Sequence, residues 1–376
     1  MSLFIKDVID KLESLIPLSL QEEWDNSGYQ IKLTDEPLSG VVTSLDLTDK
    51  CVNLAVKKGF NLILIHHPLF FYPLHLVDLD SKDGKVFDLL VKNRICVYSM
   101  HTNFDFSQYS MNHYIANKLG VKKTSPLKSH KRKLYKLSVF IPKGYVKQVR
   151  DALFTYANPK IGNYENCSFE TRGNGSFKPL SGANPFIGDR EKTSFVSESK
   201  LEVIIEERAI SKTLDALKKV HPYEEVAFDL YPLYDFGGSF SDGIGAVGNL
   251  EPKLNLENLL NKIDNLFTPL FMHYCGKLNR MIKKIAVVSG SGFSFIDEAI
   301  KNNCDVLISS ELTHSKAIKA NKSGICLVEL SHFDMEKHFT LLAKDILIKE
   351  FSIPVIENNN ENNPFFNYKN YKGGEI

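Results

Sequence analysis

Apolar positions along the chain recur at two periods, one helical and one extended, and the order in which they alternate predicts the architecture. Val8, Ile9, Leu12, Leu15 and Ile16 fall at helical spacing and Pro17 ends the run, so the chain opens on a helix. EEWDNSG follows, with Asp25, Asn26 and Gly28 as turn formers around Trp24. VVTSLDLT reads as a strand ending at Asp46. Val52, Ala55 and Val56 mark the next helix, which Gly59 closes as a C-terminal cap. The strand after it, Leu62 to Ile65, is apolar throughout, as expected for a strand buried on both faces of a parallel sheet, and it ends in His66 and His67. A helix around Val86, Leu89 and Leu90 leads to a strand from Ile95 to Met100, which runs into HTNFD with His101 and Asp105 past its end. Asn112 to Leu119 reads as a short helix stopped by Gly120. Such alternation of strand and helix predicts a parallel sheet with helices on its faces.

The texture changes near Lys122. Lysines and one arginine crowd the stretch to Lys136, with Tyr135 the one aromatic among them, so it reads as a solvated linker rather than a nucleic-acid footprint. Beyond it Leu137, Val139 and Ile141 alternate as a strand, and Val146, Val149 and Leu153 form a helical stripe. A strand is expected near Cys167 to Thr171, a long loop from Gly173 to Gly188, and another strand through Leu201, Val203 and Ile205. A helix through Ile210, Leu214 and Leu217 and a strand from Val226 to Tyr231 complete the order β-α-β-β-α-β of a ferredoxin-like split unit. An inserted α+β domain over 126–236 is therefore expected within a discontinuous α/β domain over 1–125 and 237–376.

After the glycines of FGGSFSDGIGAVGNL the first texture returns. Leu256, Leu259, Leu260 and Ile263 predict a helix, and Ile285 to Val288 a strand entering SGSGFS and a helix through Ile296, Ala299 and Ile300. Val306 to Ile308 is a strand followed by Glu311 and His314. Ile325 to Leu330 is another, ending at His332, and the helix after it carries Glu336, Phe339, Leu342, Ala343 and Ile346. The Asn-rich ending reads as mobile.

At 376 residues two domains are the natural expectation. A formal net charge of +1 gives no global attraction to nucleic acid or an anionic membrane. Apolar runs fall short of the roughly 20 residues that span a bilayer, and acids spaced through the first helix argue against a signal peptide. None of the six cysteines is paired at C-x-x-C spacing, which reads as buried thiols in a reducing cytoplasm rather than a thiolate zinc site.

Chemistry concentrates at the strand ends: Asp46, His66 with His67, His101 with Asp105, Glu311 with His314, and His332 with Glu336. Ligands of open α/β sheets bind beyond the carboxyl ends of the strands, and one mostly parallel sheet would bring all of these to one edge. Adjacent His66 and His67 point to opposite sides of a strand and can serve two centres; His332 and Glu336 share one helical face. His66, His67, Asp105, His332 and Glu336 suit two divalent ions sharing a bridging carboxylate or water. Nitrogen and oxygen ligands fit zinc, iron, manganese or cobalt alike. His101, Glu311 and His314 read as supporting or substrate contacts, or as structural. SGSGFS could hold an anion on backbone N–H groups, though it lacks the third glycine of a dinucleotide fingerprint and the lysine of a P-loop. In the insert, HPYEEVAFDLYPL offers His221, Glu224 and Glu225, as a turn or as a second site.

The series EEWDNSG, SLDLT, LIHHPLFF, HTNFD, SGSG and SHFDMEKHF resembles the NIF-three-like family, whose members are often named GTP cyclohydrolase I type 2 homologues. The resemblance covers nearly the whole chain, and CSFETRGNGSFKPLSGANPFIG with HPYEEVAFDLYP resembles the long bacterial form, whose insert is similar to the PII/CutA fold. It implies a three-layer α/β fold, a ring-shaped cytoplasmic homohexamer and a two-metal centre, with His66, His67, Asp105, His332 and Glu336 as the ligands. A hydrolase acting through a metal-bound water on a nucleotide-like substrate is implied; the other reading is a non-catalytic metal- or metabolite-binding hexamer with a regulatory or scaffold role. No catalytic residue is singled out. Where the family usually carries Ala-Gly before the late histidine, this chain has Leu330-Ser331, and its Asn-rich tail is longer.

Overall fold

The computed structural model describes residues 3–72, 75–130, 133–157, 159, 161, 164–234, 242–359 and 361–366. They form two compact units, one from Met1–His130 with Phe240–Ile376 and the other from Lys131–Ser239.

Within the first unit, apolar strands and capped helices alternate as the sequence pattern requires. Thr48 accepts a hydrogen bond from the Cys51 N–H to start the helix Asp49–Lys58, and Gly59 ends it at a φ of 66°, which a side chain would oppose. The strand order corrects the expectation of a single mostly parallel sheet, because the strands divide between two large sheets and a two-stranded one of Lys128–Ser129 with Gly243–Ile244. One sheet has the order Gly28–Ile31, Cys96–Ser99, Leu62–Ile65, Val41–Ser44, Val355–Glu357, the first strand antiparallel and the rest parallel. The other has the order Met272–Cys275, Cys326–Leu330, Val306–Ser309, Met281–Val287, Ala246–Asn255, Val121–Ser125, parallel only across Cys326–Leu330, Val306–Ser309 and Met281–Val287. Period alone shows that a strand is buried; it does not show which neighbour it pairs with.

Both faces of the strand Leu62–Ile65 are buried. Leu62 and Leu64 join the large core that also holds Val287, Ile308, Val328 and Phe339 from the second half of the chain. Ile63 and Ile65 pack with Val52, Ala55 and Leu90 of two helices. Leu64→Ala is expected to destabilise this unit by about 2–5 kcal/mol, the range for a core cavity that cannot collapse, and urea unfolding followed by circular dichroism measures it.

Four further expectations change. The lysine-rich stretch is not plain linker: Val121–Ser125 is an edge strand paired with Ala246–Asn255, and its exposed Lys122 and Lys123 mark an edge that resists pairing with another chain. Ala246–Asn255 itself was hidden by its Gly, Asn and Pro residues, and it carries a register shift between Asn249 and Leu254. The helix expected to run through Glu336 is two pieces, His332–Glu336 and Phe339–Glu350. The start of the tail joins the fold, with Val355–Glu357 in the first sheet; residues 360 and 367–376 lie outside those described.

The second unit is an antiparallel sheet in the order Phe228–Leu233, Leu134–Pro142, Ser194–Glu206, Ser168–Phe177. Leu137, Val139 and Ile141 meet Leu201, Val203 and Ile205 on one face, where Val149, Leu153 and Leu217 of the helices Val146–Ala157 and Ile210–Val220 cover them. Residues 173–177, expected in a loop, extend the strand Ser168–Phe177 against Ser194–Glu206. Gly175 fits because a Cβ there would lie 2.1 Å from the Glu198 carboxylate that crosses over it.

Candidate metal centre

The carboxyl ends of parallel strands from both sheets bring their polar residues together. His66 follows directly on Leu62–Ile65, and the backbone N–H groups of His66 and His67 both donate to the Leu45 carbonyl, fixing the bend. The His66 ring is fully buried, 5.0 Å from the Phe339 ring. Its Nδ1 lies 2.7 Å from the Met100 carbonyl, which can only accept, so Nδ1 carries the proton and Nε2 is left a bare lone pair. That lone pair has no hydrogen-bond partner among the described residues and faces Asp105 Oδ2 and Glu336 Oε2, each at 3.9 Å. Burial, with the charges of His67 and His101 opposing a further positive charge, holds His66 down to about 3, so it is neutral at pH 7. A lone pair turned towards two carboxylate oxygens in a buried site is repulsive unless a metal ion, or in its absence a proton on Asp105, offsets it.

Glu336 sits at the centre of the cluster. Its Oε2 receives His67 Nε2 at 3.0 Å and His332 Nε2 at 2.9 Å. The far nitrogen of each ring is held by an acid: His67 Nδ1 by Asp46 at 2.8 Å, His332 Nδ1 by Glu311 at 2.8 Å. Burial opposes charge on both rings, but the hydrogen bonds to Asp46 and Glu336 outweigh it and push His67 to about 10. Those to Glu336 and Glu311 push His332 to about 9. Burial likewise disfavours the Glu336 carboxylate, yet His332 and His67 hold it well below the usual range. Asp105 goes the other way, raised by burial and by the neighbouring Glu336 charge, although Ser289 Oγ donates to its Oδ1 at 3.1 Å.

The ligand atoms of His66, Asp105 and Glu336 lie within 4.8 Å of one another, as do those of His67, His332 and Glu336, so each trio could hold a metal ion. His66, His67 and His101 form a third such trio. All five residues singled out from the sequence are thus in one cluster, with Glu336 common to two of its groups. His314 is not part of it; it opens the exposed start of the helix His314–Ser323.

A metal-free sample makes the electrostatics testable. His67 and His332 have folded values raised above the ordinary 6.5, so their stabilisation is fully present below pH 6.5 and is lost as pH rises through about 9 and then about 10. The melting temperature of chelator-treated protein is expected to fall from pH 7 to pH 10. A saturating divalent ion, which takes the place of those protons, is expected to flatten the fall.

Several supporting residues escaped the sequence reading. Asp25, whose side chain is shielded from solvent, accepts from His101 Nδ1 at 2.8 Å and from the Thr102 and Ser27 hydroxyls, which together pull its carboxyl well down despite burial. Its role as a turn former hid this. Gly290 is the second: at a φ of 62°, a Cβ there would stand 2.7 Å from Glu336 Oε1. The SGSG turn is engaged with the cluster's acids, Ser289 on Asp105 and Ser291 on Glu311. The tail is the third. Glu361 accepts from the Leu45 and Asp46 N–H groups at 2.8 and 3.0 Å, and Asn363 donates to Ser331 Oγ at 2.8 Å, beside His332. Nothing in an Asn-rich ending signals such contacts.

In the second unit, His221 has both ring nitrogens occupied by backbone, Nε2 at 3.0 Å from the Phe140 carbonyl and Nδ1 accepting from Tyr223 N–H at 3.2 Å. The turn reading of HPYEEV fits these bonds. All six cysteines are free thiols, and burial raises those of Cys96 and Cys304 to about 11, which suits packing rather than ligation. Among the described residues no helix is long and apolar enough to cross a membrane.

Comparison with known proteins places this geometry in a lineage. Residues 3–364 match the family described as Duf34/NIF3 (NGG1p interacting factor 3). A protein of Halalkalibacterium halodurans named GTP cyclohydrolase 1 type 2 homolog is 35% identical over 343 residues, 91% of each chain. One of the same name from Staphylococcus aureus is 31% identical over 365 residues, 96% of this chain and 99% of its own. Among solved structures, a Bacillus cereus protein related to NIF3 superposes with a TM-score of 0.76 at 29% identity, covering 97% of this chain and 99% of that one. With a family match running through all five clustered residues, this chain belongs to the Duf34/NIF3 family.

Proposed function

We propose that the chain is a metal-dependent hydrolase whose centre takes two divalent ions, one through His66 and Asp105, the other through His67 and His332, with Glu336 shared. The observation that carries this reading is the buried Nε2 lone pair of His66 facing two carboxylate oxygens without a donor. The donor set fits zinc, iron, manganese or cobalt. Divalent ions so held act as Lewis acids and lower the pKa of coordinated water. The chain's own residues do the rest. Met100 fixes the His66 tautomer, while Asp46 and Glu311 orient His67 and His332 and make them stronger donors of electron density. His101, held by Asp25 at Nδ1, stands beside His66 and His67, where it would help position a bound reactant.

A nucleotide-like substrate is the reading favoured by the names of the relatives, GTP cyclohydrolase 1 type 2 homolog. Turnover of GTP and of simple phosphate esters by metal-loaded protein tests it, beside His67→Ala. Metal-dependent turnover that falls at least about a hundredfold in the variant is expected.

A second reading is a non-catalytic metal- or metabolite-binding hexamer. It draws on the unit Lys131–Ser239, whose β-α-β-β-α-β order and strand sequence fourth, first, third, second fit an inserted ferredoxin-like domain similar to PII/CutA. Exposed Phe169, Phe195 and Tyr231 in that sheet are suited to subunit contact. Under this reading the three-layer α/β domain spans 1–125 and 237–376, the insert 126–236, and the homohexamer works in the cytoplasm, where six free thiols are at home. Metal binding without turnover, with a hexamer mass by light scattering, selects it.

A further inference from the structure

We propose that a cleft beside the cluster binds a planar, uncharged heteroaromatic ring of nucleobase size against the face of Phe71. As a substrate subsite this rests on the metal-centre reading; as a ring-binding site it stands alone. The cleft has a volume of about 600 Å³, the size of small-molecule sites. Phe70, Phe71, Tyr72 and Phe87 supply aromatic walls, with Ile31 and Val77 beside them.

Its two walls are bolted to each other. Asn26 Nδ2 donates to the Phe70 carbonyl at 2.5 Å, and Phe70 N–H donates to Gln30 Oε1 at 3.0 Å. Gln30 Nε2 closes the set on the Asn26 carbonyl at 2.8 Å. A cleft held open in this way costs little ordering when a ligand enters. Large aromatic surface is nonetheless left in water there, with Trp24 62% and Tyr72 84% exposed. Trp24 lies nearly parallel to Phe71, centroids 6.4 Å apart and planes at 15°, and continues the same aromatic surface.

Position gives the cleft its meaning. The His101 ring stands edge-on to Phe71 at 5.5 Å and to Trp24 at 5.9 Å, and its centroid is 5.1 Å from His66 and 5.6 Å from His67. One imidazole therefore separates the aromatic wall from the metal-binding atoms. A ring stacked on Phe71 would carry a substituent past His101 to the cluster. Among the described residues the lining has no lysine or arginine, and its one acid there, Asp25, is already taken by His101, Thr102 and Ser27. A phosphate finds no counter-charge in this cleft, so a neutral ring enters it and charged parts of a ligand stay outside.

Trp24 is the chain's single tryptophan and reports on the site directly. Emission is titrated with adenosine and guanosine, with ribose as the non-aromatic control, on metal-loaded and chelator-treated full-length protein. The expected result is saturable quenching by the nucleosides, none by ribose, and an apparent Kd about tenfold weaker in Phe71→Ala. Tyr72→Ala, too exposed to affect folding, is expected to shift it the same way. Equal quenching by ribose, absence of saturation, or an unchanged Kd in both variants overturns the ring site. So does emission that depends on protein concentration alone, which assigns the aromatic surface to a second copy of the chain. Quenching retained in protein that takes up no metal leaves the ring site standing and overturns the metal reading; full metal content without quenching does the reverse.

Discussion

Glu336→Gln is expected to empty both proposed metal groups at once. One oxygen of this carboxylate takes His67 and His332 at 3.0 and 2.9 Å and faces His66 at 3.9 Å, so no ligand trio built on Glu336 survives its neutralisation. The amide keeps the shape and loses the charge, and charge-assisted bonds are about twice as strong as neutral ones. If the amide nitrogen takes the inner position, it also presents hydrogens to two rings that are themselves donors. Metal content measured after dialysis is expected to fall to near zero, with affinity at least about a hundredfold weaker. His314→Ala, outside the cluster, is expected to keep the wild-type content. The metal-free variant is also expected to melt lower than metal-free wild type. His67 and His332 lose the anion they share, and breaking a buried charge pair costs about 3–5 kcal/mol. Retention of two ions at wild-type affinity in Glu336→Gln would remove the shared carboxylate from the account.

Gly290→Ala gives the next largest effect, and it acts through a residue with no functional group. The position has a φ of 62°, where an L side chain costs about 1–2 kcal/mol by itself. The added Cβ would come 2.7 Å from Glu336 Oε1, and the other oxygen of that carboxylate is gripped by two imidazoles. Nor can the turn swing aside freely, since the Gly290 carbonyl accepts from Ser309 Oγ and Ser310 N–H, each at 3.2 Å. Either the carboxylate or the turn must move. A fall of several degrees in Tm together with reduced metal content is expected, by differential scanning calorimetry and metal analysis. Gly59→Ala shares a φ of 66° but meets nothing within 4 Å, so it is expected to lower Tm with metal content intact. The pair separates backbone strain from displacement of the ligand.

Elements with strong period were legible in the chain. Leu62–Ile65 fell where four apolar residues between Gly59 and two histidines put it, and the helical stripe of Val8, Ile9 and Leu12 marks Ile5–Leu15. Five polar residues at strand ends were legible too, because a buried strand has no other use for histidine pairs at its rim. What stayed hidden was carried by backbone. Ala246–Asn255 and residues 173–177 are strands by virtue of the partners they pair with, and their Gly, Asn and Pro residues argue for loop. The split into two sheets is a matter of pairing order, which period does not encode. Asp25, Gly290 and Glu361 support the cluster through bonds or bare space, and none announces this by its neighbours in sequence.

Such distance between His66 and Glu336 also sets a clock on biosynthesis. At about 5–20 residues per second, ribosomes need on the order of tens of seconds to pass from one to the other. All of Lys131–Ser239 is made in that interval and can fold while the early histidines wait without their acid. Glu361 and Asn363 arrive later still, so the Asp46 and Ser331 loops are fastened only after all five clustered residues have been made. Cations captured before Glu336 is made would therefore be held by an incomplete set of donors and remain free to leave, and durable loading belongs to a chain that already carries its acid.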